Sequence, residues 1–341
     1  MLVKIVFPGE TTSRDYTDFV GEITISDNID SLGAHLKFTA ITHMFDQRMK
    51  KHVDIPIGSY VRVSDNDGHI LFFGTVVTRS ADMKGRWTYD AYDEGFYLNK
   101  SMISIQFNNI DAHTAIKQVL AKQNFKCGKV CDIPTKIRKI YHGDIVADVI
   151  RDILKQAEEA LGTKYRLEIR DSGSVFIELY RDLEVPLVPI LVNSVDYVNA
   201  GREALDVKFT ESMEDLKTQV TVVSGSEKAF RIRHVAMNEV GVNQFGLINE
   251  VIKADGKNQS QMREIAYNRL VEASVLKSTH TFKLFGDRRV RSGRVLNFEP
   301  RKDGSLNLIG KYLVKSCVHT YSNNVYHTME LEVQALGLVE V

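Results

Sequence analysis

The residues best suited to chemistry lie in "IGKYLVKSCVHTYSNNVYHTMELEV", where Cys317, His319 and His327 fall within eleven residues. A thiol with two imidazoles is zinc chemistry or nucleophile-and-base chemistry, but a closed zinc site takes about four ligands and this cluster supplies three. Whether they meet depends on the turn. A two-residue turn at Asn323-Asn324 puts the histidines on opposite faces of a hairpin, and a three-residue turn puts them opposite each other. Without a fourth ligand they read as ordinary strand residues. Cys127 and Cys131 form a lone C-x3-C with His142 eleven residues on, and no second cysteine pair completes it, so two structural thiols are expected. The "DNDG" at Asp65–Gly68 resembles the start of a calcium loop, but the spacing and distal glutamate of an EF-hand are absent, and a hairpin turn is expected. The carboxylates of "TYDAYDEG" and "QAEEA" read as solvated surface. In "FGDRRVRSGR", Arg288, Arg289, Arg291 and Arg294 have no aromatic between them; a basic turn or inter-subunit contact is favoured over a phosphate site. No phosphate loop, dinucleotide fingerprint, H-E-x-x-H or nucleophile elbow is present. The expectation is no catalytic, cofactor-binding or metal-binding residue, and no enzyme.

The elements that carry these residues are mostly strands. "SYVRVSDNDGHILFFGTVVT" reads as a hairpin turning at Asp67-Gly68, and "VVTRSADMKGRWTYDAYD" as another with Lys84-Gly85 at its tip. The character changes after Asn109. "DAHTAIKQVLAKQ" sets Ala112, Ala115, Ile116, Val119 and Leu120 on one helical face behind Asp111 as a cap. "GDIVADVIRDILKQAEEALG" carries the stripe Val146, Val149, Ile150, Ile153, Leu154, Ala157 and Leu161, with Asp144 expected as cap and Gly162 as terminator. "KYRLEIRDSGSVFIELYRD" is a hairpin with Tyr165, Leu167 and Ile169 inward on one strand and Val175, Ile177 and Leu179 on the other. Pro186 and Pro189 mark a connector. Strands then return, with a region from "QVTVVSGS" to "ADGKN" that reads as a long loop and a single helix, "SQMREIAYNRLVEASV", whose inner side is Met262, Ile265, Ala266, Leu270 and Ala273.

The first β region is echoed near the C-terminus. Gly58 matches Gly293 at a separation of 235, Gly68 matches Gly304 at 236, Gly74 matches Gly310 at 236, and Tyr89 matches Tyr326 at 237. Each copy runs strand, Asp-Gly turn, glycine-bearing strand, turn, strand. No histidine pair recurs in the first copy, so the fold itself does not need one. The fold class expected is mainly β with an α+β insertion: a β-barrel unit at 1–105, a small α+β domain at 106–186 and a second barrel with one helix at 187–341, with strands after 186 able to complete the first barrel. Forty-four basic residues balance forty-four acidic ones, which argues against a broad nucleic-acid or membrane surface. No apolar run reaches the ~18 residues of a membrane span. Three cysteines make no disulfide framework, and "MLVKIVFPGE" reads as a first strand and not a leader.

"GSYVRVSDNDGHILFFGTVV" followed by "YDAYDEGFYLNKS" resembles the N-terminal part of the baseplate hub proteins of contractile phage tails, the XkdQ-like and late-control-protein-D-like group related to the hub of T-even phages. "DAHTAIKQVLAKQNF", "YHGDIVADVIRDIL" and "ALGTKYRLEIRDSGSVFI" resemble the middle of that family, and "FGDRRVRSGRVLNF", "LIGKYLVKSCVHTY" and "VYHTMELEV" its C-terminus. The segment 225–257 is matched least. The resemblance implies two domains similar to the tail tube subunit and a homotrimer whose six such units form a ring. That ring would join a hexameric tube to a trimeric spike, in a phage or a headless contractile bacteriocin. It implies tube, spike, tape-measure and other baseplate partners. It also implies assembly in the bacterial cytoplasm, and DNA only in passage through a channel. The alternative is a tail-associated peptidoglycan-binding or cell-wall-degrading protein, which would need a constellation of catalytic or sugar-binding side chains.

Overall fold

The computed structural model describes residues 1–41, 54–83, 86–185, 204–226, 229–254, 258–298, 310–322 and 326–335. The expected turns at Lys84-Gly85, Asp303-Gly304 and Asn323-Asn324, and the connector at Pro186 and Pro189, lie outside them. The protein is mainly β and forms two compact units, Met1–Val207 with Thr281–Val341, and Lys208–His280.

A long sheet organises the first unit. From one end its strands run Arg14–Asp15, Leu2–Val6, Tyr60–Ser64, Ile70–Ala81, Arg86–Tyr92, His35–Ile41 and Val20–Asn28. It continues with Gly310–Ser322, Tyr326–Ala335, Lys277–Phe285 and Ala204–Ser212; off this path Val295–Phe298 pairs with Gly310–Ser322 on one side and Glu184–Val185 on the other. Alternating apolar residues give each half its own core. In the first half Ile23, Leu36, Phe38, Val61, Val76 and Tyr89 are buried, with the Phe38 and Tyr89 rings stacked at 5.0 Å. In the second, Phe282, Leu296, Val314, Leu331 and Val333 are. The expected barrels differ from the observed sheet: among the described residues neither half closes, and the order ends freely at Arg14–Asp15 and Ala204–Ser212.

The halves share a plan. Gly58 and Gly293 both turn a corner with positive φ, +86° and +80°. The Gly58 N–H donates to the Val76 carbonyl at 2.8 Å and the Val76 N–H to the Ser59 carbonyl at 2.9 Å. The Gly293 N–H donates to the Val314 carbonyl and the Val314 N–H to the Arg294 carbonyl, both at 2.8 Å. One residue further, each long strand bulges: the register shifts between Val76 and Thr78, and between Val314 and Ser316. Ahead of the corner, Ile55 and Val290 are both fully buried. The side chain of Arg79 reaches the Ile55 carbonyl at 3.3 Å and that of Cys317 the Val290 carbonyl at 3.7 Å. Matching corners and bulges equate Val76 with Val314, Thr78 with Ser316 and Tyr89 with Leu331. Two of the four sequence landmarks are therefore corrected. Gly74 pairs with Val61 and corresponds to Tyr312, which pairs with Leu296. Gly310 lies two residues earlier, and Tyr326 lies five residues before the counterpart of Tyr89. The two halves share the corner and the bulge, but the connections between these features differ in length, so the offset is not constant: 235 at the corner and 238 at the bulge.

The middle of the first unit packs helices Ala112–Lys122 and Val146–Leu161 on a two-stranded sheet, Met102–Asp111 with Lys136–Ile145, and on a three-stranded one, Tyr165–Arg170, Ser174–Leu179 and Cys127–Val130. The stripe of the longer helix is buried from Val146 to Ala157, whereas Leu161 is exposed. Gly162 ends this helix in the left-handed region, but Ile145 holds the cap position and the Asp144 carboxylate accepts instead from the His142 N–H. A short helix, Gly95–Lys100, was not expected: six residues are too few for a periodic stripe.

In the second unit the expected long loop is a folded sheet, Ala229–Met237, Gln219–Ser226 and Asn249–Lys253 in that order, the last pair parallel. A second helix, Glu239–Phe245, sits in the crossover, so the region holds two helices and not one. Met262, Ala266 and Leu270 of helix Gln259–Ala273 bury against Val220 and Val222, and Asn258 with Gln261 forms a reciprocal cap at its start.

Candidate functional site

The strands Gly310–Ser322 and Tyr326–Ala335 pair Tyr321 with His327 and Ser322 with Tyr326. His319 and His327 are thus on one face, but diagonal and not opposite, since Met329 faces His319. His319 Nδ1 meets His327 Nε2 at 2.9 Å, and the Tyr321 ring stacks on His327 at 4.1 Å. His319 Nε2 lies 2.8 Å from the Val290 carbonyl, which requires a proton there and leaves Nδ1 to accept from His327. Cys317 Sγ is 3.1 Å from the same Nε2. Burial pushes the Cys317 thiol well up and His319 down; burial, then the neighbouring His319, takes His327 to about 4. Three neutral groups facing each other and a main-chain carbonyl form a packed polar contact. A buried neutral thiol is not a nucleophile.

The arginines of "FGDRRVRSGR" do not form a basic surface. The loop joins three parts of the first unit. Arg294 forks onto the Glu168 carboxylate with two bonds of 2.9 Å. Arg291 reaches Asp27 at 3.3 Å and the Ile169 carbonyl at 3.2 Å, and the Ser292 N–H donates to Asp27 at 3.0 Å. Arg166 donates to the Ser292 hydroxyl at 2.7 Å and the Ile29 carbonyl at 3.1 Å. Burial alone would raise the Glu168 carboxyl, but Arg291, Arg294 and Arg170 hold it at about 2. Of the outer arginines, Arg289 pairs with its neighbour Asp287 and Arg288 with the distant Asp65. The hairpin that carries Glu168 thus buries both faces. Its apolar side, Tyr165, Leu167 and Ile169, joins the helices as expected, and its polar side, Arg166 and Glu168, is buried too. The partners Asp27, Arg166 and Glu168 were invisible in sequence because they lie more than a hundred residues from the loop they bind. Alternation predicted only that they would face away from the apolar core.

The remaining candidates stand apart. Cys127 is exposed at the start of Cys127–Val130, Cys131 is half-buried, and His142 is exposed in Lys136–Ile145, on a different sheet. At the "DNDG" turn the Asp65 N–H donates to the His69 carbonyl at 3.0 Å and Gly68 has φ +88°. Ligand atoms of Asp65, Asp67 and His69 converge within 4.8 Å, but the Arg288 guanidinium binds both Asp65 and His69 there, and a cation already holds the position a metal would take.

The fold is that of phage tail proteins. The 43 kDa tail protein of prophage MuSo2 from Shewanella oneidensis superposes with a TM-score of 0.69 at 11% identity, covering 98% of each chain. A tail protein from Neisseria meningitidis gives 0.66 at 13% identity, covering 99% of this chain and 97% of that one. An Escherichia coli component of the type VI secretion system, itself similar to the T4 tail proteins gp27 and gp5, gives 0.53 at 9% identity over 99% of this chain and 78% of its own. No curated protein matches by sequence. The family model described as YQBQ-like matches residues 23–334, nearly the whole length, and the chain belongs to that family.

Proposed function

We propose that this protein is the baseplate hub of a contractile tail, a homotrimer in which three copies of a doubled unit make a pseudo-sixfold ring between a sixfold tube and a threefold spike. The observation that carries the reading is the correspondence of the two halves, with a shared corner, a shared bulge and a buried residue ahead of each corner, Ile55 and Val290, on a phage-tail fold. Two similar units per chain are what a trimer needs to present six near-equivalent positions. The separate cores support a division into tube-like units at 1–105 and 187–341 around an α+β domain at 106–186, with 208–280 an elaboration of the second unit. The role is structural: no reaction, cofactor or metal enters it. The partners are the tube ring, the spike, the tape measure and other baseplate proteins, in a phage or a headless particle assembled in the host cytoplasm. Among the described residues no helix is long and apolar enough to cross a membrane. Reconstruction of the tail particle tests the reading: it should show three copies of this chain around the axis at the end of the tube. Six copies, or a position off the axis, would refute it.

A further inference from the structure

A cleft of about 340 Å³ opens in the first unit between helix Val146–Leu161, the segment 29–32 that follows Val20–Asn28, and the start of strand Tyr165–Arg170. The helix supplies Arg151, Leu154, Lys155 and Glu158, spaced three and four apart and so on one face. Leu32, Leu154 and Leu167 are its buried apolar lining, while Asp30, Ser31 and Lys155 around it are exposed. Arg166 sets the chemistry of this cleft. It is 7% exposed, and its guanidinium donates only to neutral acceptors, the Ile29 carbonyl at 3.1 Å and the Ser292 hydroxyl at 2.7 Å. Its Nε–H has no acceptor, and among the described residues no carboxylate pairs with it. Arg170, Arg291 and Arg294 each hold a carboxylate, and Glu168, two residues along the same strand, is taken by Arg170 and Arg294. A buried cation is normally paired, because desolvation makes an isolated one costly.

The other charges of the cleft are matched. Arg151 pairs with Asp148 at 3.1 Å and Asp30 with Lys315 at 3.6 Å. Burial raises the Glu158 carboxyl against the pull of Lys164 and Lys155, and this carboxyl already accepts the Tyr165 N–H at 3.0 Å. Arg166 therefore remains as one buried positive charge without a counter-ion. We infer that the cleft binds an acidic segment of a partner protein, with one carboxylate against the Arg166 guanidinium and a neighbouring apolar side chain on Leu32, Leu154 and Leu167. A single unmatched charge suits a monoanion, whereas a phosphate group carries nearly two charges and three acceptor oxygens and calls for more free donors than Arg166 has left. The volume is at the small end of ligand sites, with room for a side chain or two and not for a large cofactor. The exposed rim leaves space for the rest of a polypeptide to pass. The assignment does not depend on the copy number of the particle.

An NMR titration of the isotope-labelled full chain tests it, read at the Arg166 Nε–H and at the amides of Ser31, Leu32 and Lys155. The probes are the capped tripeptide acetyl-Leu-Asp-Leu-amide, the same peptide with Asn in place of Asp, acetate, and inorganic phosphate. The Asp peptide should shift these signals to saturation with a dissociation constant on the order of 1 mM, as expected of so small a ligand. The Asn peptide, acetate and phosphate should each bind at least about tenfold more weakly, since each lacks either the single charge or the apolar flank. Arg166→Lys should weaken the Asp peptide by about tenfold or more, because a lysine cannot reproduce the planar donor set. Lys155→Glu, at an exposed position that leaves the core intact, should weaken it by about fivefold through the rim charge alone. No saturable shift with the Asp peptide would overturn the assignment, and so would equal binding of the Asn peptide. Acetate or phosphate binding as tightly as the Asp peptide would make the cleft a site for small free anions, and the partner segment would be overturned.

Discussion

Glu168 shows how much a single buried carboxylate can hold together. It is 3% exposed and takes the Arg294 fork on one side and Arg170 on the other. Removing it strands Arg294 in a poorly solvated place, so Glu168→Ala should cost about 3–5 kcal/mol in urea unfolding at pH 7. Replacing both members of the fork, Glu168→Leu with Arg294→Met, should recover much of that loss, because the charge is no longer left alone. A loss under about 1 kcal/mol for the single variant would show that water reaches the arginines. The acid dependence follows from the direction of the shift. The folded carboxyl titrates at about 2, below its ordinary value of 4.5, so its contribution is present above 4.5 and fades as the pH falls toward 2. His327 acts in a different window. Burial holds it neutral to about 4, while the unfolded ring takes its proton near 6.5, so stability falls between those values on acidification. Asp93, raised by burial to about 6, opposes it over part of the same range. The loss below pH 4.5 is therefore where Glu168→Leu/Arg294→Met should flatten the curve.

At the scale of elements, the bulge and the corner set the shape of each long strand, and glycine has two distinct roles in them. Gly58 and Gly293 are needed for their positive φ. Gly74 has an ordinary φ; a Cβ there would run into the Tyr92 carbonyl and the Phe72 ring. Gly74→Ala should therefore cost about 2–3 kcal/mol by overpacking. Gly310→Ala has open space around it and only the strain of φ +101°, about 1 kcal/mol. Thermal melts of the two variants check the order, and an equal shift would mean that the strand Arg86–Tyr92 gives way. These roles also mark the limit of what the sequence makes legible. Turn chemistry and alternation locate the hairpins, and the 3.6-residue stripe locates both long helices of the middle region, because those signals are local. The repeat is visible through its glycines, but Gly74 and Gly310 are alike in type and two positions apart in space. Only the hydrogen-bonded register, a long-range property, separates them. The sheet within 219–253 escaped for a related reason: its parallel pair, Gln219–Ser226 with Asn249–Lys253, is a long-range pairing that no local signal announces.

For the whole molecule, the proposed hub role requires that a long anion pass without being held. The net charge is zero, and the arginine run is spent internally: Arg288 on Asp65, Arg289 on Asp287, Arg291 on Asp27 and Arg294 on Glu168. Each of these cations has a carboxylate in place of a phosphate, and the two inner pairs are buried or nearly so. Sequence-independent DNA binding comes from cations that release counterions, and its strength falls steeply with salt when several are free to do so. A chain whose most clustered cations are already neutralised should bind duplex DNA no more tightly than about 10⁻⁴ M at about 0.15 M salt, the weak end of non-specific binding. A gel-shift titration of purified protein against a duplex of arbitrary sequence, repeated across salt concentrations, measures this. The expected result is no retained complex at micromolar protein and a shallow salt slope. Micromolar affinity with a steep slope would mean that a free cationic stripe faces the nucleic acid, and a hub lined that way would grip its cargo. The variant Asp27→Asn with Glu168→Gln, which releases Arg291 and Arg294 from their carboxylates, should move the protein in that direction if the pairing is what suppresses binding.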